Sequence, residues 1–145
     1  MPETHLIPSA LLAVRGERGE LQLFGNDYPT PDGTCVRDYI HVNDLAEAHV
    51  LALRHLGSGK DSVALNLGTG RGYSVQEILA KVKEVTGRAV PVRIVARRPG
   101  DPPALVADPS RAEELLGWKA TRSLDDIIST AWNWMGRWQR RNRSA

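Results

Sequence analysis

The sequence predicts a mixed α/β fold with short strands and about five helices in one domain. Apolar residues recur at helical spacing in segments that begin at a capping residue and end at glycine. Between these segments lie short alternating or β-branched runs flanked by Gly, Pro and Asp, which are typical of strands and turns. The 145 residues are enough for one hydrophobic core, and they contain no internal repeat.

The first third of the chain predicts a helix, two strands and a loop. Leu6–Arg15 is an apolar segment that ends in a glycine turn at 16–19, so we expect a short helix. Leu21–Phe24 alternates and predicts a strand. Gly25–Thr34 contains two glycines and two prolines, which indicates a structured loop, and Val36–Val42 predicts a second strand.

Two capped helices are predicted in the middle of the chain. Asn43 or Asp44 can cap the first of them. Ser74 and the glutamate three residues later form a capping box that opens the second. A short buried strand is expected between them at Val63–Leu67. Each helix ends at a glycine, Gly57 and Gly87 respectively.

The last third predicts an edge strand and two helices. Val90–Val95 has proline as its second residue, which favours the edge of a sheet. After a polar loop at 97–103, Asp108 and the proline that follows it start a short helix ending at Gly117. Ser123 caps the last helix. We expect its apolar stripe to lie in the core: Ile127, Ala131, Trp134, Met135 and Trp138.

Composition excludes several classes of function. The net charge of +2 is too small to indicate nucleic-acid binding, and we interpret four arginines in the last nine positions as a solvated helix end. Cys35 is the only cysteine, so an intrachain disulfide is impossible. The spacing of His41, His49 and His55 completes no metal-ligand set. No segment resembles a transmembrane helix or a signal peptide, so we expect a cytoplasmic protein.

The glycine turn at 68–72 lies between a predicted strand and a predicted helix, a context in which dinucleotide phosphates bind. Tyr73 occupies the position of the third glycine in a GxGxxG motif, and no acidic residue follows at the expected distance. We therefore interpret these glycines as a turn needed for packing.

Arginines in two separate loops suggest an anion site. Arg37 follows the first glycine-rich loop, and Arg98 lies in the second polar loop near Asp101. Two guanidinium groups can grip a diphosphate while a carboxylate accepts from sugar hydroxyls. Internal pairing of Arg98 with Asp101, or of Arg37 with Asp38, explains the same pattern, and spacing alone leaves both interpretations open.

Several segments together resemble the UDP-glucose 4-epimerase family, a member of the extended short-chain dehydrogenase/reductase class. They read ETHLIP, LQLFGNDYPTPDGTCVRDYIHVNDLAEAH, LNLGTGRGYSVQEI and ARRPGDPPALVADPSRAEELLGW, followed by the tryptophan-rich helix. The resemblance covers nearly the whole chain. It departs from the pattern at His5, where some members have asparagine, and at Leu105, where some have tyrosine.

The resemblance implies a two-part protein that interconverts UDP-glucose and UDP-galactose through an NAD-dependent 4-keto intermediate. In the family, an N-terminal Rossmann domain binds NAD and a smaller C-terminal part binds the UDP-sugar. This chain resembles the second part alone, with residues 1–145 as the UDP-sugar-binding domain. It contains neither GxxGxxG nor Tyr-x-x-x-Lys, so we expect no catalytic or cofactor-binding residue here and NAD bound by the N-terminal domain.

The resemblance also implies a role for nine residues of this chain. Leu6 lies beside the nucleotide, and Leu21, Gln22, Leu23 and Phe24 line the uracil, with Phe24 against the base. Arg37 and Arg98 clamp the diphosphate, Asp101 holds the ribose hydroxyls, and Val75 closes one side of the pocket.

Several partners and alternatives follow from the same resemblance. In the family, Val63–Leu67 and the helix after Val42 pack against the Rossmann part, so we expect this chain to self-associate or to bind a separate N-terminal half. One alternative is half of a split UDP-pentose or UDP-N-acetylhexosamine 4-epimerase. Another is a degenerate, non-catalytic fragment that binds a nucleotide-sugar or nothing.

Overall fold

The computed structural model describes residues 3–143, with side chains up to Arg137, and within that range it contains five helices and five short strands. The helices are α1 (Leu6–Val14), α2 (Val42–Gly57), α3 (Val75–Thr86), α4 (Ser110–Leu116) and α5 (Leu124–Arg143). The strands are β1 (Leu21–Phe24), β2 (Val36–Asp38), β3 (Gly72–Ser74), β4 (Val92–Val95) and β5 (Ala104–Leu105). The predicted mixed α/β class is therefore confirmed.

The strands form two small sheets. β1 and β4 are parallel, with Leu21 opposite Val92 and Phe24 opposite Val95. β2 is the central strand of the second sheet, antiparallel to β3 and parallel to β5. The boundaries of β1 match the prediction, and β4 lies in a two-stranded sheet, as its proline suggested. Both sheets bring loops from distant parts of the sequence side by side.

Two apolar clusters hold the fold together. The larger one lies between α1, α3 and α5, where Leu11, Ile78 and Ile128 are fully buried. The smaller one contains Ala48, Ala112 and Trp118, and packs α2 against α4. Burying one large apolar side chain stabilises a fold by roughly 1.5–3 kcal/mol, so the larger cluster fixes the position of α1 and α3 beside the sheets.

Two predicted helix starts are confirmed by their caps. Ser74 accepts from the main-chain N–H of Glu77 at 3.1 Å, and the Glu77 carboxylate accepts from the main-chain N–H of Ser74 at 2.7 Å. Ser123 and Asp126 make the equivalent reciprocal pair at the start of α5. These bonds satisfy donors that a helix leaves unpaired at its first turn, which is why short sequence signals located them.

The start of α2 corrects the prediction. His41, rather than Asn43 or Asp44, is its N-cap, and the imidazole Nδ1 accepts from the main-chain N–H of Asn43 at 3.0 Å. Asp44 is fully buried and instead accepts from the main chain and side chain of Arg122. β2 ends at Asp38, four residues before the predicted Val42, which is instead the first residue of α2.

The expected strand at Val63–Leu67 does not form. Its burial alternates, with Val63, Leu65 and Leu67 half-buried, but none of the described strands pairs with it. A strand needs a neighbour to satisfy its backbone groups, so alternation alone is insufficient.

The short strands β3 and β5 were not predicted, because their pairing with β2 depends on contacts between distant segments.

The tryptophan prediction is also corrected. Trp134 is 60% exposed, whereas Trp132 packs against the larger core. Of the predicted stripe, Ile127, Ala131 and Met135 do pack against the larger core. The fully buried Ile128 lies on the same side of α5, so only Trp134 among the described members is wrong. Trp138 and the arginines at 140, 141 and 143 lie outside the residues whose side chains are described.

None of the described helices has the length and hydropathy that a membrane span requires.

Candidate functional site

A cavity of about 290 Å³ opens between the N-terminal end of α1, the strands β1 and β2, and the loop at 97–103. All nine residues to which the resemblance assigned a role line this single cavity. They are Leu6, Leu21, Gln22, Leu23, Phe24, Arg37, Val75, Arg98 and Asp101. Because these residues come from segments spread between positions 6 and 101, only the fold brings them together.

β1 presents an aromatic side chain to the cavity. Leu21 and Leu23 are buried in the structure, and the alternation of a strand places Gln22 and Phe24 on its other face. The Arg98 guanidinium lies over the Phe24 ring, 3.7 Å from its centroid. A guanidinium stacked on an aromatic face is a cation–π contact, so a positive charge and a flat apolar surface meet at this end of β1.

Arg37 is held in place by the loop that also carries Arg98. Its Nη1 donates to the carbonyls of Val36 at 2.7 Å and Pro102 at 2.9 Å. Its Nη2 donates to Asp101 Oδ1 at 2.6 Å. The structure therefore forms neither of the two internal pairs considered from the sequence. It joins Arg37 to Asp101 instead, and leaves Arg98 stacked on Phe24.

A hydrogen-bonded network positions Val75 in the cavity wall. The Ser74 hydroxyl donates to Asp32, and Asp32 also accepts from the Thr34 N–H at 2.9 Å. The main-chain N–H of Val75 donates to the carbonyl of Cys35 at 3.1 Å. Burial of Asp32 opposes ionisation, but the bonds from Ser74 and Thr34 outweigh it and hold the Asp32 pKa below its ordinary value. The glycine-rich loop is thus tied to α3.

Sequence reasoning missed other residues in the same wall, among them Arg18 and Tyr39. Burial of the Tyr39 hydroxyl raises its pKa to about 12, although Arg37 acts in the opposite direction, so this hydroxyl is a hydrogen-bond donor at neutral pH. The sequence positions of Arg18 and Tyr39 could have indicated that both residues lie near the cavity. Arg18 lies in the turn that leads into β1, and Tyr39 follows the Arg-Asp pair of β2 by one residue.

Comparison with known proteins gives consistent matches. The family model described as GDP-mannose 4,6 dehydratase matches residues 2–131. The UDP-glucose 4-epimerase of Rhizobium leguminosarum bv. trifolii is 53% identical over 133 residues, which is 92% of this chain and 41% of that protein. The UDP-glucose 4-epimerase of Azospirillum brasilense is 54% identical over 132 residues, which is 90% of this chain and 38% of that protein.

Two solved structures have the same fold. The UDP-glucose 4-epimerase of Brucella ovis in complex with NAD has a TM-score of 0.88 and 56% identity, and the match covers 93% of this chain and 42% of that one. The UDP-glucose 4-epimerase of Bifidobacterium longum in complex with NAD⁺ and UDP has a TM-score of 0.84 and 45% identity. That match covers 92% of this chain and 39% of the other. The chain belongs to the UDP-glucose 4-epimerase family of extended short-chain dehydrogenases/reductases.

The match to this epimerase family is confined to one part of its members. The chain spans about 40% of the length of the relatives that it matches, and it aligns with their C-terminal portion. The resemblance read from the sequence is confirmed at the level of the family.

The glycine turn at 68–72 is filled by a carboxylate of this epimerase-family chain itself. Asp38 accepts from the main-chain N–H groups of Thr69 at 3.0 Å and Gly70 at 3.1 Å. A side chain at Gly68 would collide with Ala107 and with Asp38. These contacts support the packing interpretation. Because Asp38 already uses the amides that a phosphate needs, this turn does not fit the diphosphate of NAD.

A second cavity of about 350 Å³ lies between α2 and the segment at 62–67. Its lining is mostly aliphatic, with two histidines and a serine as the polar members, and it contains no arginine, lysine or carboxylate. Of the two cavities, the smaller one therefore has the cations that an anionic ligand needs. Beside this apolar groove, α2 exposes four aliphatic side chains: Val42, Val50, Leu53 and Leu56.

The histidines have structural contacts. His41 is buried and its Nε2 lies 2.9 Å from the Thr130 hydroxyl, so it links the start of α2 to α5. His49 is exposed, with its Nδ1 2.7 Å from the carbonyl of Leu45. Among the described residues, no group of three or more His, Cys, Asp or Glu side chains is arranged to hold a metal ion.

Proposed function

We propose that residues 1–145 form the substrate-binding domain of a UDP-glucose 4-epimerase, which binds the UDP part of UDP-glucose or UDP-galactose. The observation that carries this proposal is the convergence of Phe24, Arg37, Arg98 and Asp101 on one cavity. An aromatic face, two guanidiniums and a carboxylate match the base, the diphosphate and the ribose of a nucleoside diphosphate. Relatives that contain UDP in their solved structures add support.

The uracil is proposed to lie along β1. The main-chain N–H groups of Leu21 and Gly25 donate toward β4, to the carbonyls of Pro91 and Val95. By the alternation of a strand, the main chain of Gln22 and Phe24 faces the opposite edge, beside the cavity. A pyrimidine carries adjacent donor and acceptor groups, so that edge can bond the base while the Phe24 ring packs against it.

The diphosphate is proposed to lie between Arg37 and Arg98. Guanidinium groups stay charged and donate in a planar fork that suits phosphate oxygens. Asp101 lies 2.6 Å from Arg37, so the carboxylate proposed for the ribose hydroxyls is beside the cation proposed for the phosphate. A ligand engages Asp101 through oxygen lone pairs that the ion pair leaves available.

Protein contacts to the UDP part of the substrate support epimerisation, because UDP is remote from the reacting carbon of the hexose. Contacts to UDP retain the substrate without fixing one face of the sugar. The glycine turn at 68–72 does not fit NAD, since Asp38 fills it, and the sequence has no GxxGxxG. We propose that NAD is bound by the N-terminal domain of the family.

Calorimetry with UDP tests this proposal. We expect the unmodified chain to bind UDP, and Arg37→Ala and Arg98→Ala each to weaken binding at least about tenfold, because each removes a charge-assisted bond. Arg93→Ala is the matched control, since Arg93 is an exposed arginine on β4 outside the cavity. UDP binding that is absent, or equal in all three variants, contradicts the proposal; absence supports the degenerate, non-catalytic alternative.

We also propose that the 145 residues do not epimerise alone, because they lack Tyr-x-x-x-Lys as well as GxxGxxG. Incubation of the purified chain with NAD and UDP-galactose is expected to give no UDP-glucose above a buffer control. Turnover would show that the reaction needs no further segment.

The exposed side of α2 is proposed to bind a separate N-terminal half or a second copy of the chain. Leu53 is 70% exposed on this face. We expect sedimentation velocity to show self-association that Leu53→Asp abolishes, or binding to an N-terminal half that the same variant loses. Leu105→Asp is the control, because Leu105 is an aliphatic residue of similar exposure, 62%, that belongs to β5 and not to α2. Equal behaviour of the two variants contradicts the assignment.

A further inference from the structure

One cation in the cavity wall has no role in the proposed function. Arg18 reaches the cavity from the turn between α1 and β1. Its Nη1 donates to the main-chain carbonyl of Glu3 at 2.7 Å and to the Ser9 hydroxyl oxygen at 2.9 Å. These two bonds hold the guanidinium against the N-terminal end of α1.

The held guanidinium keeps donors available. Arginine has five N–H donors, and the bonds to Glu3 and Ser9 use the two on Nη1. Among the side chains that the structure describes, up to Arg137, no hydrogen bond or ion pair joins the Nε or Nη2 of Arg18. A cation that lines a cavity, whose orientation is fixed and which has unused donors, is suited to bind an acceptor on a ligand.

Arg18 and Arg98 lie at opposite ends of β1. Arg18 precedes Leu21, the first residue of the strand, by three positions, whereas Arg98 covers the ring of Phe24, the last residue. A four-residue strand spans roughly 10 Å between its first and last Cα atoms. With the diphosphate at Arg37 and Arg98, a base that lies along β1 directs its far edge toward Arg18.

We propose that Arg18 donates to the carbonyl oxygen at position 4 of the uracil and so selects uracil over cytosine nucleotides, an inference that rests on the proposed function. Uracil presents carbonyl oxygens at positions 2 and 4, whereas cytosine presents an amino group at position 4. A guanidinium has donors only, so it bonds the uracil oxygen and opposes the cytosine amine. Arg18 is thereby a specificity-determining residue.

Calorimetry with both UDP and CDP tests this inference on four chains: the unmodified chain, Arg18→Ala, Arg18→Lys and the control Arg93→Ala. The unmodified chain and Arg93→Ala are expected to prefer UDP over CDP by about tenfold, the value of one charge-assisted hydrogen bond. Arg18→Ala is expected to lose about tenfold for UDP and to change CDP binding less than about twofold. Arg18→Lys keeps the charge without the planar fork and should also lose the preference.

Each other outcome has a distinct meaning. Equal losses for UDP and CDP in Arg18→Ala, or full preference in Arg18→Lys, identify Arg18 as a general or structural cation and overturn the inference. UDP binding that depends on Arg37 and Arg98 but not on Arg18 overturns it while the proposed function stands. Absence of UDP binding by the unmodified chain overturns both. Where Arg18→Ala fails to fold, Arg18→Lys decides.

Discussion

Arg37 Nη2 lies 2.6 Å from Asp101 Oδ1, and this ion pair joins β2 to a loop 64 residues later in the chain. Family resemblance assigns the two groups to neighbouring parts of one ligand, the diphosphate and the ribose. The structure places the two groups in direct contact. A site whose parts already hold one another loses less conformational freedom on binding, so the pair pre-organises the cavity.

The Arg37–Asp101 pair is expected to contribute measurably to stability. Both side chains are less than one-third exposed, and the pair makes a short charge-assisted bond. A double-mutant cycle with Arg37→Ala and Asp101→Ala, followed by urea unfolding, should give a coupling energy of about 1–2 kcal/mol. The exposed pair Arg93–Glu20, whose atoms are 4.0 Å apart, is the control and should give near zero. Similar coupling in both pairs contradicts this prediction.

Phe24 is expected to supply stacking energy to the base. Phe24→Ala should weaken UDP binding about tenfold or more, because stacking of a base on an aromatic side chain contributes roughly 1–3 kcal/mol. Phe24→Tyr retains the ring and should bind within about threefold of the unmodified chain. Fluorescence or calorimetric titration with UDP measures both. If alanine binds as well as tyrosine, the uracil does not lie against this ring.

Gly33 is expected to tolerate no side chain. It has φ +77°, and a Cβ there would collide with the main-chain oxygen of Asn26. Gly33→Ala should lower the free energy of unfolding by at least about 2 kcal/mol. Gly59→Ala is the matched control, with φ +79° and open space around it, and should lose only about 1 kcal/mol. Equal losses in thermal or urea unfolding would mean that the collision at Asn26 is relieved without cost.

Asp44 is expected to make the free energy of unfolding depend on pH in the acidic range. Burial opposes ionisation of Asp44, but its bonds to Arg122 and Thr121 outweigh burial and lower its pKa. The lowered folded-state pKa means that its contribution is complete above the unfolded pKa of about 3.9 and is lost as the pH falls through the folded value. Asp44→Asn should therefore cost about 2 kcal/mol from pH 5 to 8, and the difference should shrink below about pH 4.

Urea unfolding of the unmodified chain and Asp44→Asn across this pH range measures that difference. Asp125→Asn is the control, because Asp125 is an exposed carboxylate at the start of α5. A difference that stays constant to pH 2.5, or grows in acid, contradicts the assignment of Asp44.

Elements with local causes were predictable from the sequence, and elements with distant causes were not. The capping box at Ser74 and the alternation of Leu21–Phe24 depend on neighbouring residues, and both were found. Val63–Leu67 alternates as a strand does, yet the described part of the chain offers it no pairing partner. The imidazole cap of α2 was missed because histidine is an uncommon choice at that position.

The candidate site likewise has features that the sequence predicted and features that only the structure shows. Resemblance supplied nine of the fifteen residues that line the cavity, whereas spacing alone left open whether Arg37 and Arg98 bind a ligand or pair internally. The pairing of Arg37 with Asp101 depends on the parallel register of β2 and β5, in which Arg37 lies opposite Leu105. No local pattern in the sequence specifies that register, so the pair became visible only in the structure.

The most direct test is a crystal structure of this chain with UDP bound. We predict diphosphate oxygens within about 3 Å of the Arg37 and Arg98 guanidiniums, and a uracil ring along Leu21–Phe24 that packs against Phe24. A nucleotide in the apolar groove beside α2, or one in this cavity with its base away from β1, would contradict the account.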